Sequence, residues 1–424
     1  MVVSSIKKHF EVPLNSYSAK KEKEETHFFF ESTMKLAILL IGVYGCLALY
    51  DPSSYTDRQC GSDMPNLWLD VVAVVDNSKG MTLNMLTGVA TVLVSIFNLV
   101  ANIGINPNNP RSTRIGLITY NENATLNADL NAYQSMDDLF SGVFGSLSAV
   151  SSSRLSYLSN GLETARVLLK NQSFGTPRDH YRKVVIVFAA SYYKGSSEWD
   201  PIPAAQSLKD DGVIVMTVAS VWDATTEFMN DLASISSPGL VFDISAQNDT
   251  EMIKSAVMMA NCYCPNAYIQ YRELFEDKSS TPYGSCLHPN NVSTSWKASQ
   301  LNCRNRKAYL ATEFTQHKHD FIVESVTSTT GFHPPLSYHI GLNQVLGKWV
   351  WDQPQGLPQI PLQSYSDWNP MYPIQSSSMN GVENFQNGQM TGWQNIDQLK
   401  VSTNYICESY ACDTDNYCDA NGNI

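Results

Sequence analysis

Between residues 67 and 260 the apolar positions fall in short unbroken runs: LWLDVVAVVD, RIGLITY, RKVVIVFAAS, GVIVMTVAS and LVFDIS. Stretches with helical spacing separate them, among them Met85–Ile103, Leu158–Lys170, Ala204–Asp210 and Thr226–Ile235. A strand with one wet face alternates apolar and polar residues, whereas a strand covered on both faces is apolar throughout. The runs therefore predict a parallel sheet with helices on both sides, a doubly wound α/β domain. Ligands of such folds sit at the carboxyl ends of the strands. Asp76 closes the first run, and Asn77, Ser78, Lys79 and Gly80 follow it.

From Cys262 the rhythm changes. SWKASQLNCRNRKAYLA and HKHDFIVESVTS read as amphipathic helices, and SYHIGLNQ, GKWVWDQ and TNYICES as short strands among long loops. Cys, Trp, Gly, Asn and Pro become frequent. The expected architecture is multidomain: a doubly wound α/β domain over 60–262, a disulfide-stapled α+β domain over 263–408, and a Cys-containing tail over 409–424.

Composition adds limits. The 424 residues are 43% hydrophobic and 16% charged, which is globular. A net charge of −12 argues against nucleic acid as a partner. The apolar stretch 36–50, LAILLIGVYGCLALY, is shorter than the roughly 20 residues that span a bilayer. With Met34-Lys35 before it and small residues near its end, it reads as a signal peptide over 34–48. Residues 1–33 are an extension of unknown role. The expectation is a secreted chain with no stable membrane span.

Cysteine usage agrees with secretion. Beyond Cys46 in the signal, eight cysteines remain, and all but Cys60 lie after residue 261. Cys60 and Cys262 bracket the first domain and are expected to pair. Cys412 and Cys418 are placed to close a small loop in the tail. Asn123, Asn171, Asn248 and Asn291 stand in glycosylation triplets. No nucleophile elbow, zinc-protease helix or phosphate loop occurs, so no catalysis is expected. His317 and His319 are two apart on a helix and point in different directions. With Asp320 they read as an exposed turn.

The segment Asp76-Asn77-Ser78-Lys79-Gly80, with the order of strands and helices around it, resembles the start of a von Willebrand factor A domain. The resemblance implies a Mg²⁺ site at the top of the sheet, built from a D-x-S-x-S loop, a Thr and a second Asp. Asp76 and Ser78 match the first two positions, and Ser156 stands in for the Thr. Gly80 replaces the second Ser, and Ala190 falls where the second Asp belongs. The site reads as degenerate, Mg²⁺ is disfavoured, and Asp76 and Ser78 are expected to cap the following helix.

Residues 264–408 resemble a C-type lectin-like domain. Cys264-Pro265, SWKASQLNC, AYLATEF, YHIGL, GKWVWDQ, YSDWNP, GVENF, GQMTGWQN and NYICE follow in the family's order. The resemblance implies a Cys264–Cys286 hairpin bond and a Cys303–Cys407 bond from the first helix to the last strand. It places Phe385 and Leu399 where an inner disulfide would be, so either the long loop loosens or apolar packing holds it. It implies Ca²⁺ bound by a loop triplet, a Glu and an Asn-Asp pair. Here the triplet is Tyr372-Pro373-Ile374, Glu383 remains, and Trp393-Gln394-Asn395 lacks the carboxylate, so Ca²⁺ is also disfavoured. Trp368, Tyr372 and Trp393 with Glu383 and Asn395 are the candidate ligand-binding residues, the rings offering an aromatic platform. Trp349, Trp351 and Trp393 also match core positions of the family.

An A-type domain before a C-terminal lectin-like domain resembles secreted nematode C-type lectin proteins. That implies carbohydrate binding and a part in innate defence. The alternative is a metal-independent module that binds extracellular proteins.

Overall fold

The computed structural model describes residues 56–193, 198–244 and 249–422. Residues 34–48, read as a signal peptide, the extension over 1–33 and Asn248 lie outside the described residues. The first domain is a sheet of strands β1 (Leu69–Asp76), β2 (Arg114–Tyr120), β3 (Ala124–Ala128), β4 (Arg182–Ala189), β5 (Ile214–Ala219) and β6 (Val241–Asp243). Their order is β3-β2-β1-β4-β5-β6. All neighbours are parallel except β2 and β3, which form an antiparallel edge that the apolar runs did not announce.

Every residue of β1 is buried, and the reason is two separate cores. Val71, Ala73 and Val75 face helices α1 (Leu83–Phe97), α2 (Met136–Ser146) and α6 (Asp249–Ala260). Val72 and Val74 face α3 (Leu158–Gln172), α4 (Pro201–Asp210) and α5 (Thr226–Ile235). Helix α1 ends at Phe97, short of the Ile103 its periodicity suggests. Gly161 lets α3 lie close to the sheet, since a Cβ there would sit 2.7 Å from a Val74 methyl.

The second domain holds β7 (Ile269–Arg272), β8 (Pro282–Ser295), α7 (Trp296–Asn305), β9 (Tyr309–Leu310) and α8 (Gln316–Thr327). Strands β10 (Ser337–Val345), β11 (Lys348–Trp351), β12 (Ile360–Pro361), β13 (Gly381–Asn387), β14 (Met390–Ile396) and β15 (Ser402–Tyr410) complete it. The sheet runs β12-β11-β10-β15-β8-β7, with the β13-β14 hairpin on β10 and β9 on β15. Cys303 of α7 is bonded to Cys407 of β15, and Cys264 to Cys286 of β8. Cys60–Cys262 closes the first domain, and Cys412–Cys418 closes the tail loop.

Both ends of the described chain cross between the domains. The Arg58 guanidinium reaches the Asp413 carboxylate at 2.7 Å, and Gln59 forms a bridge to Tyr283. The Trp68 indole N–H donates to the Asp413 carbonyl at 2.9 Å, with Tyr181 and Tyr417 packed on the ring. The described residues belong to one compact unit.

Candidate functional sites

Asp76 ends β1 fully buried. One carboxylate oxygen accepts the Ser78 N–H at 2.8 Å, and the other accepts the Ser156 hydroxyl at 2.8 Å. Burial raises the Asp76 carboxyl above its ordinary range, against the pull of these donors. A hard divalent cation needs several oxygen ligands, usually with more than one carboxylate. Here Gly80 and Ala190 bring no side-chain oxygen, and the one carboxylate already accepts from Ser78, Ser156 and, at 3.5 Å, the Ser191 hydroxyl. This donor set does not fit Mg²⁺. Nor do Asp76 and Ser78 cap the helix as the sequence suggested. Thr82 does so, accepting the Met85 N–H at 3.2 Å. Asp76 instead ties the loops of β1 and α3 together.

In the second domain the five candidate residues divide. Trp368 and Tyr372 are half-buried, with open surface on the long loop. Glu383, Trp393 and Asn395 are interior, which corrects their reading as ligand-facing groups. Glu383 turns away to accept the Ser337 hydroxyl at 3.0 Å, and burial raises its carboxyl. Trp393 is fully buried against Trp351, Trp368 and Tyr365. Trp349 packs on Trp368 at 5.0 Å between centroids.

Asn395 of β14 ties down the long loop. Its amide accepts the Ile374 N–H at 2.7 Å and donates to the carbonyls of Ile374 and Met379 at 2.8 and 3.0 Å. Asn369 adds bonds to the carbonyls of Phe385 and Gly392. The loop is therefore held by side-chain amides rather than by apolar packing of Phe385 and Leu399, the latter of which is 67% exposed. Tyr372 and Ile374 supply no carboxylate, so the donor set does not fit Ca²⁺ either. Among the described residues no group of three His, Cys, Asp or Glu is arranged to hold a metal. Asn123, Asn171 and Asn291 are exposed.

A buried polar network lies beneath this loop, and the sequence reading missed it. Glu313, 1% exposed, accepts the Trp393 indole N–H and the Asn384 amide, both at 2.7 Å. His319 stands 3.0 Å from the same carboxylate and 3.4 Å from Asp367. Its neighbour Lys318 is buried too, ion-paired to Asp57 at 3.1 Å and to Glu408 at 2.8 Å. The turn read as exposed is thus largely interior. The signal was present: positions 318, 319, 322, 325 and 326 form one face of α8, and all are buried.

Burial alone would lower the His319 pKa, but the Glu313 and Asp367 carboxylates outweigh it and push it up to about 9. The imidazolium form is favoured in the folded state. Its contribution to stability is complete below the ordinary value of 6.5 and is lost as pH rises through about 9. The whole difference is on the order of 3 kcal/mol. Urea unfolding should show stability falling between these values in the native chain. A flat profile there would contradict the assignment, whereas His319→Gln should lack the slope.

Two known domain families match the chain. The von Willebrand factor type A domain model matches residues 70–256, and the Lectin C-type domain model matches 292–409. The C-type lectin domain-containing protein 160 of Caenorhabditis elegans is 25% identical over 394 residues. That match covers 86% of this chain and 57% of the relative, so the chain spans little more than half of its length. Among solved structures, proximal thread matrix protein 1 from the mussel byssus is 22% identical, with a TM-score of 0.38 and 47% of each chain covered. The C-type lectin domain of murine dendritic cell inhibitory receptor 2, solved in complex with N-glycan, is 21% identical with a TM-score of 0.27. That match covers 35% of this chain and 98% of the receptor domain.

Proposed function

From a chain that carries a von Willebrand factor type A domain followed by a C-type lectin domain, we propose a secreted, non-enzymatic recognition protein. It binds carbohydrate through the long loop of its lectin domain without Ca²⁺, and it serves in innate defence at microbial surfaces. The observation that carries this reading is the loop itself. Asn395 pins it by three hydrogen bonds, leaving Tyr372 and Trp368 partly open beside it. Half-open rings suit the apolar faces of sugars. Four disulfides support an oxidising compartment. Among the described residues no helix is long and apolar enough to cross a membrane.

Residues 49–424, expressed through a secretory pathway and screened on a glycan array, test the face. Tyr372→Ala should weaken the strongest glycan signal at least tenfold with the melting temperature unchanged. Equal binding by the variant would remove this loop from the reading.

A second reading has its own observation. Met371 is 94% and Ile374 43% exposed on the same loop. Exposed apolar side chains on a pinned loop favour a protein partner over a sugar. In that case the same surface serves as a metal-independent protein-interaction site.

A further inference from the structure

A cavity of about 380 Å³ lies where the first domain, the second domain and the tail meet. Its wall includes Arg182 and Lys183 from the start of β4, Tyr263 and Asn266 from the connection, and Asn421 from the tail. The volume lies in the range of small-molecule sites, about 300–1,000 Å³.

Arg182 is the anomaly in this wall. Its guanidinium stacks 4.4 Å from the centre of the Tyr263 ring and makes neither hydrogen bond nor ion pair with any described residue. A guanidinium has five N–H donors in a planar fork, and a half-buried charge without a partner is costly. The other charges in the cavity are already engaged. Asp211 is paired with Arg166 at 2.9 Å. Lys183 is bonded to the Asp179 carbonyl and lies 3.5 Å from its carboxylate. Asp419 accepts the Asn421 N–H at 2.9 Å. The exposed side chains of Asn266 and Asn421 line the same space and add amide groups to its rim.

We infer that this interdomain cavity is a binding site for a small ligand bearing an oxyanion, which the free Arg182 fork grips while Tyr263 holds the fork in place. Carboxylate, sulfate and phosphate groups all match a planar guanidinium in two-point contact. The site is remote from Asp76, at the opposite end of the sheet from the β1 terminus, and it does not depend on the glycan reading of the lectin loop.

The experiment is calorimetric titration of the full secreted chain with glucuronate, inorganic sulfate and inorganic phosphate in turn. At least one should bind with one-to-one stoichiometry, and the one that does identifies the group. Arg182→Gln should weaken it at least tenfold at an unchanged melting temperature. Arg182→Lys, which keeps the charge and loses the fork, should also weaken it, and this variant decides if the glutamine variant misfolds. Absence of binding by all three, or equal binding by the folded variants, overturns the site.

Discussion

Replacing Glu313 with alanine should lower the stability of the lectin domain by about 3–5 kcal/mol, the cost of removing one partner from a buried ionic contact. The carboxylate accepts from the Trp393 indole and the Asn384 amide and faces the His319 imidazole. Its removal would leave two buried donors unsatisfied and a buried imidazolium facing only Asp367 and the Thr391 carbonyl. Trp393 is also the core of the aromatic cluster under the long loop, so its fluorescence should report the loss in urea unfolding. A shift below 1 kcal/mol would mean that water or a rearranged side chain replaces Glu313, and that the network is not what orders this region.

The first domain has an equally buried counterpart. Asp70 on β1 is fully buried between Arg114 at 2.6 Å and Arg178 at 2.9 Å, and it accepts the Ser173 hydroxyl at 2.6 Å. Burial would raise its pKa, but the two arginines and the hydroxyl outweigh it and hold the carboxyl below 3.8. The stability this gives is present above that ordinary value and lost as pH falls through the lower folded value. Asp70→Ala should cost about 3–5 kcal/mol at neutral pH, because two nearly buried guanidinium groups lose their counter-ion. The loss should shrink on acidification below pH 3.8, where the native chain forfeits the same interaction. A variant as stable as the native chain at pH 7 would contradict the ion cluster's role.

These two sites mark what the residue pattern exposes and what it conceals. The run LDVVAVVD is apolar because both faces of β1 meet helices, so its place in the sheet could be read directly. The edge strand β3 could not, since its middle residues are exposed and it is only five residues long. The missing carboxylates at Ala190 and around Tyr372 were visible in the sequence, and the structure adds what replaces them. At Asp76 the replacement is one hydrogen bond within its own loop and one from Ser156 of a second loop, and at Asn395 it is an amide that reaches three backbone groups. Such substitutions depend on atoms brought together across the fold, 80 residues apart for Asp76 and Ser156. Charged residues on α8 were read as solvated because charge usually is. Their burial depends on Glu313, Asp57 and Glu408, partners that no local pattern predicts.

The central claim is that the lectin loop recognises its ligand without a metal. A glycan array run on residues 49–424, once with Ca²⁺ and once with chelator, tests it most directly. The account predicts binding with the same glycan profile under both conditions, because amide hydrogen bonds rather than an ion hold the loop. Binding that disappears with chelator and returns with Ca²⁺ would contradict it. Absence of glycan binding in both arms would contradict the carbohydrate reading and turn the exposed loop toward a protein partner.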